Sequence, residues 1–376
     1  MPSRDGPAVI EVHDLVKRYP GSDTNAVDGL SFRVEPGEVF GLFGPNGAGK
    51  STTIGVLTTR LRATAGRAYV GGVDVDRDPA TARAQLAVVP QHNNLDRALT
   101  PRQNLVHHGT YHGLSRRAAA ERADELLAGF GLTDRADRRI EAYSGGLAQR
   151  LMIARALVHE PMVLFLDEPT NALDPQTRLL IWGQLRRLRE RGVAILLTTH
   201  AMNEAARVVD RVGIVDQGRL LTLDTPQNLL RSLAGDAILD LTVTPAAADG
   251  PAQLEAALGR LDGVRKVERL GPPAGPGGPG PLGGRPGANL PPAVRARLAA
   301  AGGAGALATL ARQRATDPAD GSGRTRLRLH VAGDPSALLG TAVTVVTGRS
   351  ATVDAVQVSE PSLEDVFVEL TGREPR

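Results

Sequence analysis

The sequence predicts an α/β protein in which a larger part, built on a parallel sheet, precedes a smaller α+β part. Three observations support this prediction. Short apolar runs that end in polar residues alternate with helical segments between residues 8 and 235, as in buried parallel sheets. After residue 235 the pattern changes to two successive β-α-β units. A segment rich in Pro and Gly separates these two units.

Three apolar runs of the first part predict strands that end in polar residues, at 38–44, 162–168 and 193–200. Helices are predicted over 114–131 and over 175–192, the second with a proline at its start. Ser115 is the predicted N-cap of the first helix, and Gly131 and Gly192 are the predicted stops. Strands and helices that alternate in this way favour an α/β core.

The composition excludes several classes of protein. No cysteine occurs among the 376 residues, so neither a disulfide nor a cysteine-ligated metal site can form. The formal net charge is +3 and no run of Lys or Arg is concentrated, so nucleic acid is not an expected partner. No apolar run approaches the ~18 residues that suggest a membrane span, and the N-terminus lacks the apolar stretch of a signal peptide. The chain is therefore expected to be cytoplasmic.

The part after residue 235 predicts a small ferredoxin-like unit. Its predicted strands are 237–243, 264–270, 324–331 and 350–358, with helices at about 251–260 and 335–346. The segment 271–323 between the two halves is rich in Gly, Pro and Ala and is expected to be disordered. Such an insertion costs little, because loop-closure entropy grows slowly with length. A last helix is predicted over 362–372, with Ser362 at its start.

Residues 44–52, GPNGAGKST, match the phosphate-binding pattern G-x-x-x-x-G-K-[ST] without a mismatch, between a predicted strand and a predicted helix. The glycines let backbone N–H groups turn toward phosphate oxygens, and the helix N-terminus adds partial positive charge. Lys50 is predicted to bind the β- and γ-phosphates of ATP, and the Ser51 hydroxyl to ligate Mg²⁺. The predicted ATP-binding residues of this segment are Gly44, Pro45, Asn46, Gly47, Ala48, Gly49, Lys50, Ser51 and Thr52.

Two carboxylates end the apolar run VLFLDE. Asp167 is predicted to hold Mg²⁺ through water. Glu168 points to the other side of the strand end, where it can polarise a water for in-line attack on the γ-phosphate. An apolar run that ends in Asp-Glu is also a common strand-to-loop edge, but the phosphate-binding segment upstream favours the nucleotide interpretation.

A second anion-binding pattern, YSGG at 143–146, opens another predicted helix. Ser144 could be a plain N-cap followed by flexible glycines. Its hydroxyl, the N–H groups of Gly145 and Gly146 and the positive end of the helix could also bind a phosphate. Because the chain already has one phosphate-binding segment, the purpose of a second one needs an explanation.

Six motifs follow one another along the chain, in the order phosphate loop, Gln91, YSGG, LFLDEP, NALD and LLTTH. This order resembles the nucleotide-binding subunits of ABC transporters, closely over about residues 8–235 and more weakly beyond. The resemblance implies a P-loop NTPase fold of the ABC ATPase kind for residues 1–235. That fold has a RecA-like core, an antiparallel β subdomain and a helical subdomain, here at about 92–158. Residues 236–376 then form an α+β accessory domain.

The resemblance also implies a homodimer in which two chains pair head to tail. Each ATP then lies between the phosphate loop of one chain and the YSGG signature of the other, so Ser144, Gly145 and Gly146 bind the partner's nucleotide. A charge-assisted hydrogen bond is typically worth ~1.5–3 kcal/mol. Several such bonds, made only when the γ-phosphate is present, could close a dimer that ADP would leave open.

Four further residues match motifs of the family by their position. Tyr19 matches the aromatic residue that stacks on adenine, although such a tyrosine is more often a packing residue. Gln91 matches the glutamine that contacts Mg²⁺ or the attacking water and senses the membrane partner. Asp174 matches an aspartate that reaches across the dimer, and it is also a candidate N-cap. His200 matches the histidine that contacts the γ-phosphate, and with Glu168 and Gln91 it completes the predicted catalytic set.

The segments VDGLSF, LTPRQNL and VSEPSLEDVFVELTGR resemble the daunorubicin/doxorubicin exporter branch. This resemblance implies an ATPase that powers efflux of a drug-like or hydrophobic compound through a separate integral-membrane permease. The chain would then lie at the cytoplasmic face of the membrane, with the loop after Gln91 docked on the permease.

Two alternatives stay open. One is an ABC subunit that exports a lipid or a polysaccharide, and the other is a soluble ABC protein that acts on nucleic acid or ribosomes. The single nucleotide-binding domain, and the lack of a long coiled coil between Ser144 and Asp167, argue against the second alternative.

Overall fold

The computed structural model describes residues 8–140, 143–171, 173–233, 237–245, 250–270, 324–333, 335–359 and 361–372. The chain divides into two compact units: the part up to Leu229 with the segment from Phe367 onward, and Leu230–Val366. The domain boundary predicted at 235–236 and the insertion predicted at 271–323 both lie outside the described residues. Of the helices within the described ranges, none is both long and apolar enough to cross a lipid bilayer.

The first part of the chain alternates between strands and helices. Its strands are β1 (Ile10–Lys17), β2 (Val27–Val34), β3 (Val39–Phe43), β4 (Ala65–Val70), β5 (Val73–Asp74), β6 (Leu86–Val89), β7 (Val163–Asp167), β8 (Ala194–Thr199), β9 (Arg211–Asp216) and β10 (Arg219–Asp224). Its helices are α1 (Lys50–Leu57), α2 (Pro79–Gln85), α3 (Pro101–Tyr111), α4 (Arg116–Gly129), α5 (Gly145–Ala156), α6 (Pro175–Glu190), α7 (Met202–Ala205) and α8 (Pro226–Arg231).

A six-stranded sheet in the order β10-β9-β3-β8-β7-β6 forms the centre of the first unit. The neighbours from β9 to β6 pair in parallel, and only the edge pair β10·β9 is antiparallel. The three predicted strands are confirmed as β3, β7 and β8, whose side chains are almost all buried. Phe43 lies beside Thr199, and Asp167 lies beside Thr198. The residues that follow these strands therefore meet at one edge of the sheet.

A second, antiparallel sheet in the order β2-β1-β4-β5 packs on the first. The two sheets share one buried apolar cluster, in which the rings of Phe32 and Phe40 stack 5.0 Å apart. Helices α3, α4 and α5 pack on one another as a separate helical layer. The RecA-like core, the antiparallel sheet and the helical subdomain of the predicted fold are therefore all present.

The predicted helix boundaries hold because the capping residues act as expected. The Ser115 side chain caps α4 by accepting from the backbone N–H of Ala118, and Gly131 after the helix has a φ of +64°. Asp174 caps α6, which ends before Gly192 at a φ of +86°. Left-handed values of φ are accessible to glycine without the steric cost that a Cβ imposes.

The second unit contains a four-stranded antiparallel sheet. Its elements are β11 (Ala237–Thr244), α9 (Pro251–Leu258), β12 (Val264–Leu270), β13 (Thr325–Val331), α10 (Pro335–Thr347) and β14 (Thr352–Ser359). The helix α11 (Leu363–Thr371) begins in this unit, and its residues from Phe367 onward belong to the first unit. The strand order is β12-β13-β11-β14, with all neighbours antiparallel. This is the arrangement of a ferredoxin-like fold, so the predicted topology is confirmed.

A half-buried ion network ties the start of α11 to this sheet. The Arg328 guanidinium donates to both carboxylate oxygens of Asp240, at 2.8 and 3.0 Å, and also to Asp365. Hydrogen bonding to Asp240 raises the pKa of Arg328. Ser362 caps α11 as predicted, because its hydroxyl accepts from the Asp365 N–H and its own N–H donates to the Asp365 carboxylate.

Candidate nucleotide-binding site

The phosphate-binding segment lies between β3 and α1, where the sequence predicted it. Gly49 is the residue before α1 and has a φ of +103°. A Cβ at this position would lie 2.4 Å from the carbonyl oxygen of Ala26, so only glycine fits both the backbone conformation and the space. The close approach of the two backbone segments fixes the direction in which the first N–H groups of α1 point.

Lys50 begins α1 and folds back over the segment. Its ammonium donates to the carbonyl oxygens of Gly44 at 2.7 Å and Pro45 at 2.9 Å, and the residue is only 6% exposed. Burial lowers the pKa of Lys50, and the carboxylates of Glu168 and Asp167 oppose that shift. The ammonium is therefore positioned between the phosphate-binding segment and the two carboxylates.

Asp167 at the end of β7 accepts two hydroxyl hydrogen bonds on the same oxygen. The Ser51 hydroxyl lies 3.3 Å from Oδ1, and the Thr198 hydroxyl lies 2.6 Å from it. Thr198 was not among the residues predicted from the sequence. Its position in β8, directly beside Asp167 in the parallel pairing, is the signal that could have identified it.

Glu168 adopts a backbone conformation that is rare for a residue with a side chain, with a φ of +52°. Its N–H donates to the backbone oxygen of Thr198 at 3.1 Å and to the hydroxyl of that residue at 3.3 Å. Such conformations cost about 1–3 kcal/mol and cluster at functional sites. Nδ1 of His200 lies 2.8 Å from Oε2 of Glu168, and the His200 side chain is half exposed while that of Glu168 is buried. The pair thus connects a buried carboxylate to the surface.

An open cleft of about 770 Å³ lies beside these residues. Five of the predicted site residues line this cleft: Tyr19, Ser51, Thr52, Gln91 and Asp167. The phenol oxygen of Tyr19 is 3.2 Å from the hydroxyl of Thr52, and 40% of the residue is exposed. The Tyr19 ring is therefore available at the rim of the cleft.

Ser144 is the N-cap of α5, and its hydroxyl accepts from the N–H of Leu147 at the long distance of 3.5 Å. Ser144 and Gly145 are exposed, and a Cβ on Gly145 would meet open space. A Cβ on Gly146 would instead lie 2.9 Å from side-chain atoms of Thr177 in α6. The second glycine is thus required for helix packing, whereas the first is not.

Asp174 and Thr177 form the other side of this packing. The Asp174 carboxylate accepts from the Thr177 N–H at 2.9 Å and from its hydroxyl at 2.7 Å, and these bonds lower the pKa of Asp174. Thr177, which was not predicted from the sequence either, therefore connects the predicted signature segment to the predicted dimer-contact aspartate. Within the described residues, no hydrogen bond or ion pair joins Ser144 or Asp174 to the phosphate-binding segment.

The comparisons with known proteins agree with this geometry. A family model described as ABC transporter matches residues 27–171. The daunorubicin/doxorubicin resistance ATP-binding protein of Streptomyces peucetius is 46% identical over 229 residues, which are 61% of this chain and 69% of that protein. The chain belongs to the ATP-binding proteins of ABC transporters. The predicted resemblance to the drug-resistance branch is therefore confirmed.

Other members of the ABC transporter family extend this comparison. The Nod factor export ATP-binding protein I of Paraburkholderia xenovorans is 45% identical over 228 residues, which are 61% of this chain and 75% of that protein. An ATP-binding cassette solved as a dimer in a post-hydrolysis state, bound to ADP and Pi, is 27% identical with a TM-score of 0.53. The match covers 57% of this chain and 98% of that cassette. Proteins of this family dimerise, bind ATP and are ATPases, and the present chain is an ATPase of the same kind.

Proposed function

We propose that the protein is the ATP-hydrolysing subunit of an exporter that moves a drug-like or hydrophobic compound through a separate membrane permease. The observation that carries this proposal is the meeting of Ser51, Asp167 and Glu168 at one edge of the sheet, with His200 on Glu168. The drug-resistance relative, 46% identical, supports efflux as the direction of transport.

The residues around Asp167 suit a bound Mg²⁺. The Ser51 hydroxyl and the Gln91 side chain from the same cleft would supply oxygen ligands, and the Asp167 carboxylate would hold the ion through water. Oxygen ligands are those that Mg²⁺ prefers, and it usually keeps several waters beside one or two carboxylates. When bound, Mg²⁺ neutralises charge on the phosphates of ATP. Thr198 would keep Asp167 oriented toward this position through its 2.6 Å hydrogen bond.

Glu168 would act as the general base. Its carboxylate is held by His200, and its backbone by Thr198, so it cannot swing away from the sheet edge. It takes a proton from the water that attacks the γ-phosphate, while Lys50 and the backbone N–H groups of residues 44–52 stabilise the phosphate charge. His200 would contact the γ-phosphate from its exposed side once ATP is bound.

Ser144, Gly145 and Gly146 would bind the γ-phosphate of ATP held by the phosphate loop of a second chain. The exposure of Ser144 and Gly145, and the weak 3.5 Å cap bond of Ser144, support a ligand from outside the chain. Asp174 would reach across the same interface. The result is a head-to-tail homodimer with two composite ATP sites, for which the dimeric cassette bound to ADP and Pi is a precedent.

Replacing Ser144 by Arg tests this arrangement. The Ser144→Arg chain should bind ATP as a monomer but should not form the ATP-dependent dimer, because a long charged side chain fills the second phosphate cradle. Multi-angle light scattering measures the mass, with Glu168→Gln in the background so that bound ATP persists. Ser115→Arg is the matched control, since Ser115 is also an exposed serine N-cap, on α4. Normal dimer formation by the Ser144→Arg chain in that background, or normal turnover by a chain that carries Ser144→Arg alone, would refute the composite site.

The export part of the proposal has a separate test. Cells that carry the Glu168→Gln chain in place of the wild type should accumulate more of at least one compound from a panel of hydrophobic fluorescent drugs. The loss of ATP hydrolysis removes the energy source for efflux, while the protein and its permease remain. Equal accumulation of every compound would reject drug export and leave the ATPase assignment untouched.

A further inference from the structure

Three histidines of the helical layer lie together, and none of the three lines the nucleotide cleft. His108 lies in α3 and His112 directly follows that helix, one turn away, while His159 lies in the turn between α5 and β7. One ring nitrogen from each of the three lies within 4.8 Å of the others. Among the residues that the structure describes, this is the one group of three or more His, Asp and Glu side chains arranged in that way.

The hydrogen bonding of His159 leaves one nitrogen free. Its Nε2 lies 3.1 Å from the backbone oxygen of Leu86 in β6, and a carbonyl oxygen can only accept, so Nε2 carries the hydrogen. Nδ1 of His159 is buried and has no hydrogen-bond partner. A histidine that donates from one nitrogen to a backbone carbonyl and presents a lone pair on the other has the arrangement typical of a metal ligand.

We propose that His108, His112 and His159 bind one divalent transition-metal ion through three imidazole nitrogens. Zn²⁺ and Co²⁺ suit the site, whereas Mg²⁺ and Ca²⁺ prefer oxygen ligands. Three protein ligands leave a fourth position for water. The ion would join the end of α3 to the turn before β7.

The three rings lie close to the arrangement that a tetrahedral metal ion needs, but they must rotate to reach it. The rings of His112 and His159 are stacked, with centroids 3.8 Å apart and planes 7° from parallel, and the centroid of His108 is 4.7 Å from that of His112. Tetrahedral Zn²⁺ with bonds of about 2.0–2.1 Å needs nitrogens about 3.3 Å apart. Metal binding at this site therefore requires the rings of His108 and His112 to rotate about their side-chain bonds.

The charges around the site select the kind of ion. The Arg155 guanidinium lies near His108 and donates to Asn94, so its positive charge disfavours any cation held by charge alone. An ion that forms strong bonds to nitrogen overcomes this repulsion better than one that binds by charge. Burial also lowers the pKa of all three rings, to about 3 for His108, which keeps the ligands neutral.

Titration of the full-length, nucleotide-free chain with CoCl₂ and with ZnCl₂ tests the proposal. Calorimetry should give one ion per chain, and bound Co²⁺ should show the intense visible absorption of a tetrahedral site. His112→Gln and His159→Gln should each weaken binding by at least about tenfold, since even residues behind the ligands contribute 10- to 100-fold. His107→Gln is the matched control, because His107 is the exposed neighbour of His108 in the same helix, and its binding should equal that of the wild type.

The outcomes separate a metal site from a packing cluster. Circular dichroism establishes that each variant is folded before it is titrated. No saturable binding by the folded wild type, or equal binding by the wild type and both ligand variants, overturns the proposal. If the variants fail to fold, X-ray absorption of the Zn²⁺-loaded wild type counts the imidazole ligands. Three support the site, and fewer overturn it.

Discussion

The two glycine-rich segments that begin helices α1 and α5 differ in what surrounds them. Around the first, Lys50 is buried and bonded to the segment itself, and Asp167 and Glu168 lie close enough to influence its charge. Around the second, Ser144 is exposed and its side chain makes one long cap bond, and among the described residues no lysine or carboxylate is bonded to it. In the proposed function, the first segment supplies the groups that bind and cleave a phosphate, and the second supplies hydrogen-bond donors.

In the proposed dimer, this difference would divide the work of one ATP site between two copies of the chain. A helix N-terminus with a serine and two glycines can recognise a phosphate, but it cannot supply a general base or a metal ligand. One chain contains both a recognition segment and a catalytic segment. In the proposed dimer, the two segments of each ATP site come from different chains, so hydrolysis depends on association. The proposed dimer would thus bring a recognition segment to a catalytic segment only when ATP is bound.

The largest expected effect comes from replacing Glu168, the proposed general base of the first segment. Glu168→Gln should keep ATP binding and lose about 10²- to 10⁴-fold in turnover, since that is the usual contribution of a general base. Steady-state phosphate release measures turnover, and equilibrium binding of a fluorescent ATP analogue measures affinity. Glu190→Gln at the exposed end of α6 is the control and should match the wild type. Normal phosphate release by Glu168→Gln would remove Glu168 from the mechanism.

The sequence predicts where the residues of the first segment lie, because each of its patterns is made of contiguous residues. The phosphate loop and the VLFLDE run each contain a local pattern. Parallel pairing of the strands then brings the ends of these patterns together at one edge of the sheet. Thr198 could not be found in this way, because its role depends on lying beside Asp167 rather than on any motif. The packing of Thr177 against Gly146 depends similarly on how two helices meet.

The histidine cluster could not be predicted from the sequence either, because it also depends on contacts between distant segments. His108 and His112 have the spacing of one helical turn, but His159 joins them only through the packing of α3 and α5. By contrast, helix caps such as Ser115 and Asp174 were predictable, since a cap bonds to a residue only three positions away. Local features such as helix caps can thus be predicted from the sequence, whereas contacts between distant segments cannot.

A smaller effect is expected from Thr198→Val, which tests whether the Thr198 hydroxyl orients Asp167. Valine keeps the shape of this buried residue but loses the 2.6 Å hydrogen bond to Asp167. The Mg²⁺ concentration for half-maximal ATPase activity should rise about 10- to 100-fold, as for residues that orient a metal ligand. Thr199→Val is the control, because the hydroxyl of Thr199 bonds to the N–H of Ala201 and not to Asp167. Equal Mg²⁺ dependence of the two variants would contradict the role of Thr198.

The smallest expected effect compares the two glycines of the second segment. Gly146→Ala places a methyl group 2.9 Å from the Thr177 side chain, whereas Gly145→Ala meets open space. Overpacking typically costs 1–3 kcal/mol, so the Gly146→Ala chain should be less stable than the Gly145→Ala chain by about 1–2 kcal/mol in urea unfolding. The order should reverse for association, because only a methyl group at the exposed Gly145 blocks the approach of a partner's phosphate without disturbing the fold.

A second substitution separates packing from recognition in this pair. Thr177→Ala removes the atoms that the new methyl group would meet, so the Gly146→Ala/Thr177→Ala double variant should recover part of the stability lost by Gly146→Ala alone. The same substitution combined with Gly145→Ala should give additive effects, because the two positions share no contact. If Gly145→Ala destabilises the monomer as much as Gly146→Ala does, the second segment is a packing element, and its exposed face has no need of a partner.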